Sequence, residues 1–175
     1  VIFRSQPDKA GPGHPGGRML FLPDGTLLLS VGDGFDHKAA AQDPASHLGK
    51  ILRLTRDGAA APDNPRIAAS GARAEVWTSG HRKVQGLARD PQTGEVWSHE
   101  HGPRGGDEIN LLRAGANYGW PLVTHGIDYD GSIISERAFA PGFERSAFFW
   151  APSIAPSGLV VYRGSVFPDW QGKLL

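Results

Sequence analysis

The sequence predicts an all-β fold assembled from a recurring strand–turn–strand unit, and three observations carry that prediction. Apolar residues come in short runs bounded by Gly, Pro, Asp and Asn, the pattern of strands separated by turns. No segment sustains a long run at helical spacing. One unit recurs: GRMLFLPDGTLLL from Gly17, GLARDPQTGEVWS from Gly86 and GLVVYRGSVFPDWQGKLL from Gly158 each read Gly, apolar strand, turn, second strand, with starts 69 and 72 residues apart. Such a repeat points to a propeller or a solenoid. The interval is longer than common propeller repeats, which leaves each unit inserted loops of the kind that hold binding chemistry.

Taken in order, the chain opens on VIFRSQP, where Val1, Ile2 and Phe3 read as a strand entered midway. Strands are expected at 18–22 and 26–31 around Pro23-Asp24-Gly25, because Asp-Gly supplies the positive φ angles of a tight hairpin. GKILRLT, at 49–55, runs to another Asp57-Gly58. The stretch 84–90 turns at Pro91-Gln92-Thr93-Gly94 into EVWSHE, 95–100, and DEINLL follows Gly105-Gly106. The third unit stops at Leu174-Leu175, partway through its second strand. Two complete units and part of a third do not close a ring of ~4–8 blades. The chain is therefore expected to be one partial propeller domain over 1–175, without an internal boundary, in a protein about twice as long.

Composition narrows the function. The 175 residues suffice for one domain with a sizeable core. Eighteen basic and eighteen acidic side chains cancel, which argues against binding nucleic acid or an anionic membrane surface. No apolar run reaches membrane-spanning length. Cysteine is absent, which excludes disulfides, zinc–thiolate sites and thiol nucleophiles. With 24 Gly and 14 Pro, turns are plentiful.

The densest chemistry lies in SHEHGPRGGDEINLL, 98–112. Glycines let a backbone bend sharply and bring bare carbonyl oxygens near a ligand. Carbonyls, carboxylates and a phenol are hard donors of the kind calcium gathers, about six to eight at a time; Asp107, Glu108 and Tyr118 are at hand. The same residues also read as a polar hairpin in which Asp107 caps a turn and Glu108 faces solvent. His14, in the loop GPGHPGGR, is expected to be exposed, either as plain surface or as a base working near neutral pH. His99 and His101 lie two apart, on one strand face; with no evident third ligand, structural roles are expected. His37, His47 and His125 are loop residues without evident partners. Arg82 and Lys83, in SGHRKVQG, place two cations where a strand enters the second repeat, as a solvated pair or as a site for an anionic cofactor or substrate.

Together these segments resemble the soluble, calcium- and pyrroloquinoline quinone (PQQ)-dependent sugar dehydrogenases, the glucose/sorbosone dehydrogenase family of six-bladed β-propellers. The resemblance runs along almost the whole chain: GGRMLFLPDGTLLLSVGD, SHLGKILRLTRDGAAAPDNP, SGHRKVQGLARDPQTGEVW, EHGPRGGDEINLLRAGANYGWP, GIDY and APSGLVVYRGSVFPDWQGKLL. EHGPRGGDEIN followed by NYGWP is its most specific part. The resemblance implies a six-bladed β-propeller of which this chain supplies two complete blades and part of a third. It implies an aldose dehydrogenase that oxidises the C1 hydroxyl of a sugar to the lactone, with hydride transfer to PQQ assisted by calcium. Carried over by position, it implies His14 as the general base. Arg82, Lys83 and Tyr129 would bind the cofactor, and Glu108, Tyr118 and the carbonyls of Gly102 and Pro103 would bind calcium. An external electron acceptor and a periplasmic or exported location follow from the family, with no nucleic-acid partner and no membrane insertion. The ligand-rich turn would then be a cation and quinone platform, calcium polarising the quinone as a Lewis acid.

Two departures stand out. The family reads His-Arg-Asn where this chain reads His81-Arg82-Lys83, and a lysine is a longer, charged donor with no acceptor. Pro15 biases His14 toward an extended backbone. Because fold does not fix function, Lys83 keeps open a catalytically silent sugar- or protein-binding propeller of the same family. A calcium-dependent propeller lactonase would need converging carboxylates and no quinone pocket; the Arg82 and Tyr129 matches count against it.

Overall fold

The computed structural model describes residues 1–9, 11–67 and 71–175. Its regular structure is two four-stranded antiparallel sheets, each a meander. The first takes β1 (Gly16–Phe21), β2 (Leu27–Val31), β3 (Lys50–Leu54) and β4 (Val76–Ser79) in that order; the second takes β5 (Val84–Arg89), β6 (Val96–Glu100), β7 (Asp107–Leu112) and β8 (Phe148–Trp150). Among the described residues the helical structure is two short 3-10 turns, Lys38–Ala41 and Pro168–Trp170. This is the propeller blade met twice, and the fold is all-β as expected. The third unit begins as a short ladder in which Val161 pairs with Leu174 and Val160 exchanges backbone hydrogen bonds with Leu175.

Local chemistry explains the hairpins. In the β1–β2 turn Asp24 accepts hydrogen bonds from the backbone and hydroxyl of Thr26 at 2.8 and 2.7 Å, and Gly25 takes φ 83°. Arg53 on β3 then ties Asp24 to Asp63, at 2.7 and 2.8 Å.

β2 and β3 read as nearly continuous apolar runs because both faces of the first sheet are covered. Leu28, Ile51 and Trp77 point to the second sheet and meet Val84, Leu87, Val96 and Leu112. From the opposite face Val31, Leu52, Leu54 and Val76 pack with Leu48, Phe3 and Ile67. Lys50 is fully buried within β3, where its ammonium donates to the carbonyls of Ala40, Ala41 and Leu48 at 2.8–2.9 Å and closes the 38–41 turn onto the sheet. Burial pushes that amine down to about 8.

The sheets meet along β1 and β5, and a polar clasp joins them outside the apolar layer. Gln42, following the 38–41 turn, and Asn117, in the β7–β8 connection, exchange amide hydrogen bonds at 3.1 and 2.7 Å. This seam positions the site.

Candidate active site at the seam

His14 sits just before β1, at φ 42°. It is neither exposed nor extended as the sequence suggests: the ring is buried, and the left-handed backbone overrides the bias from Pro15. Such a conformation is uncommon for a non-glycine residue and persists where the surroundings hold it. What holds it is Asp33, two residues after β2, whose Oδ1 lies 2.6 Å from His14 Nδ1. The carboxylate also accepts from Phe35 N–H at 2.9 Å through Oδ1 and from Trp120 Nε1–H at 2.9 Å through Oδ2. Surrounded by donors, it acts as acceptor, so Nδ1 carries a proton, and in the neutral imidazole Nε2 is the nitrogen with the free lone pair. Between them Gly32 approaches so closely that a Cβ there would lie 2.2 Å from the His14 carbonyl oxygen.

Arg82 enters from the β4–β5 connection. Its backbone N–H donates to Glu100 Oε2 at 2.6 Å, and its carbonyl accepts Asp33 N–H at 2.9 Å. Its guanidinium donates to the carbonyls of His101 and Gly102, at 3.0 and 2.7 Å, and to the Tyr129 hydroxyl at 3.2 Å. It lies 5.4 Å from the Trp120 ring and 5.7 Å from the Tyr129 ring, within cation–π range. Tyr129 stacks on Phe35 at 6.1 Å. Arg82, Tyr129 and Phe35 border a cavity of about 330 Å³ lined also by Pro103 and by the Lys38–Asp128 ion pair. Lys83 is half-buried and lines neither this cavity nor the smaller one described next.

The ligand-rich turn divides its labour. Asp107 is buried, accepting from Gly102 N–H at 2.8 Å, Ile154 N–H at 2.8 Å and Ala155 N–H at 2.6 Å. Its carboxylate therefore shapes the turn as a cap. Glu108 points beside Glu100 into a cavity of about 20 Å³ that Gly80, Tyr118 and Thr124 also line. Burial first, and then the negative Glu100, push the Glu108 carboxyl well above the usual carboxylate range. Its side-chain partner is Asn110 Nδ2 at 3.4 Å, and Asn110 Oδ1 is buried with no hydrogen bond. Two carboxylates lining one cavity with room for about one water-sized particle suit a hard cation. Among the described residues no three His, Asp or Glu side chains gather as a metal cluster, so a cation here would need main-chain carbonyls as well. Tyr118 could offer only that: its phenol donates to Leu111 O at 2.7 Å and accepts from Arg113 N–H at 2.9 Å.

Several other histidines are structural. His99 and His101 meet the carbonyls of Gly158 and Pro156, at 2.8 and 2.7 Å. His47, for which the sequence showed no partner, is buried between Gln6 N–H at 2.9 Å and Glu75 at 3.3 Å. His125 stacks on Phe149 at 3.8 Å, and His37 is exposed. Sequence reasoning brought His14, Arg82, Tyr129, Gly102, Pro103, Glu108 and Tyr118 to one neighbourhood and missed Asp33, Glu100, Phe35 and Trp120. The available signal was Asp33 flanked by Gly32 and Gly34 at the end of a strand, a place for a turn residue or a ligand.

The Glucose / Sorbosone dehydrogenase family profile matches residues 1–175. The chain is 45% identical to the aldose sugar dehydrogenase YliI of Escherichia coli (strain K12), over 99% of this chain and 47% of that protein. It is 35% identical to the quinoprotein glucose dehydrogenase B of Acinetobacter calcoaceticus, over 91% of this chain and 36% of that one. Among solved structures it is similar to the apo form of the soluble aldose sugar dehydrogenase from Escherichia coli, with TM-score 0.92 and 43% identity over 99% of this chain and 50% of that chain. It is also similar to the PQQ-bound aldose sugar dehydrogenase from Streptomyces coelicolor, with TM-score 0.68 and 36% identity over 84% and 39%. The chain thus spans about half the length of the Escherichia coli relative.

Proposed function

This chain belongs to the glucose/sorbosone dehydrogenase family, and we propose that the protein carrying it is a PQQ-dependent aldose dehydrogenase, oxidising the C1 hydroxyl of a sugar to the lactone. One observation carries the reading: the His14–Asp33 pair from the first sheet and Arg82 from the second are joined, Asp33 N–H to Arg82 carbonyl at 2.9 Å, and Arg82 lines a cavity of small-molecule size together with Phe35, which packs edge-on against the His14 ring at 5.0 Å. At about 330 Å³ that cavity falls in the ~300–1,000 Å³ range of such sites.

The residues present fit the cofactor. Arg82 and Lys38 offer cations to an anionic edge, and Tyr129 with Phe35 offers flat apolar faces. The Gly102 carbonyl has a second lone pair beyond the one given to Arg82, so it can serve a cation together with Pro103. Glu108, which shares the smaller cavity with Glu100 and Tyr118, suits calcium, whose charge would relieve the carboxylate repulsion. When bound, PQQ supplies the hydride acceptor and calcium the Lewis acid that activates it. His14 Nε2 takes the proton of the sugar hydroxyl, while Asp33 holds Nδ1–H and stabilises the imidazolium that forms. Lys83 stands outside both cavities, so its replacement of the family asparagine leaves their lining unchanged.

The test is dye reduction by the full-length protein on a panel of aldoses, with PQQ and calcium each omitted in turn. Reduction that needs both is the expected result, and His14→Ala is expected to abolish it while PQQ still binds. Tight PQQ binding with no reduction on any aldose would overturn the reading, as would full turnover in His14→Ala.

A further inference from the structure

The indole of Trp120 touches both halves of the site, and no role assigned above uses it. Its Nε1–H donates to Asp33 Oδ2 at 2.9 Å, and its ring carries the Arg82 guanidinium at 5.4 Å. The residue is buried and its backbone is held on both sides, N–H to Gly80 O at 2.9 Å and carbonyl to Gln42 Nε2 at 2.7 Å. On Asp33, Oδ1 already takes His14 Nδ1–H and Phe35 N–H. A carboxylate anchored through one oxygen can still turn about its Cβ–Cγ bond, whose energy profile is broad. A donor on the second oxygen fixes the carboxylate plane, hence the line along which Nδ1–H must point, hence the aim of Nε2.

We infer that Trp120 is a positioning residue: its N–H locks the Asp33 carboxylate and so aims the His14 base, while its ring keeps Arg82 in register with that base. The kinetic part of this inference rests on the dehydrogenase reading; the geometric part does not. A binding contact alone would alter affinity, whereas aiming a base alters turnover.

The test compares Trp120→Phe, and the isostere benzothienylalanine at position 120, with unsubstituted full-length protein. The isostere keeps the bicyclic ring and replaces N–H by sulfur, so it isolates the hydrogen bond even where the phenylalanine variant folds poorly. In histidine-labelled protein, His14 is expected to show a hydrogen-bonded Nδ1–H proton resonance that both variants lose to exchange with water. A kcat fall on the order of 10-fold is expected, within the ~10²–10⁴-fold that a positioned base contributes, at unchanged KM and PQQ affinity. Signal loss together with that fall supports the inference. An unchanged His14 signal overturns it whatever kcat does, and so does signal loss with kcat intact. If the unsubstituted protein oxidises no aldose, the dehydrogenase reading has failed and the His14 resonance alone decides the role of Trp120.

Discussion

His14 holds its left-handed backbone with the help of the space that Gly32 leaves as well as of the Asp33 carboxylate. A side chain at position 32 would meet the His14 carbonyl oxygen at 2.2 Å and its Cβ at 3.2 Å, backbone that cannot swing aside as a flexible side-chain tip can. Gly32→Ala is therefore expected to fold with a loss of ~1–3 kcal/mol, typical of overpacking, and to lower kcat while PQQ affinity persists. Urea midpoints and steady-state kinetics check it; unchanged kcat would mean that His14 tolerates the displacement. The site was half legible at this scale. Residue types with chemistry of their own, His14, Arg82 and Glu108, could be named from motifs. Their partners could not, because Asp33 reaches His14 across 19 residues and Trp120 across 87, and no spacing rule spans such distances. Asp107 could be read from sequence either as a cation donor or as a turn cap, and the three backbone N–H groups it accepts from make it the cap.

β6 and the residue after it anchor more than their own sheet, since His99 and His101 both hold the segment that leads into the third unit. Burial pushes the His99 imidazole below its ordinary value, and its Nδ1 is enclosed without a hydrogen-bond partner among the described residues. His47 and His125 shift the same way, again chiefly through burial. For a base depressed by folding, the unfolded chain binds protons first on acidification. The stabilisation is complete above about pH 6.5 and is lost as pH falls through the folded-state value. The urea midpoint is expected to drop between about pH 7 and pH 5, and His99→Gln, which keeps a donor for Gly158, is expected to flatten part of that slope. An unaltered slope would assign the acid sensitivity elsewhere. Strands with a covered apolar run or a flanking Asp-Gly turn were readable from sequence. β4 and β8 were not, being four and three residues long, too short for alternation to register. Pairing with β3 and β7 makes them strands.

Across the whole molecule, the two sheets are held by an apolar layer and by polar contacts that include one amide exchange. Gln42 and Asn117 satisfy each other and, through Gln42, the Trp120 carbonyl. Alanine at either position leaves a half-buried amide without its partner. A double-mutant cycle is therefore expected to give a coupling of ~0.5–3 kcal/mol by urea unfolding; purely additive losses would show that the clasp contributes nothing beyond packing. The seam has a second consequence, for how such proteins can be recombined. Blades look like interchangeable modules, and the Gly80–Lys83 link between them is the obvious place to join two parents. Yet His14 and Asp33 lie on one side of that joint and Arg82, Trp120 and Tyr129 on or beyond it. A chimera cut there keeps every sheet intact while pairing the His14–Asp33 couple of one parent with the Arg82 arm of another, so the architecture is modular and the candidate site is not.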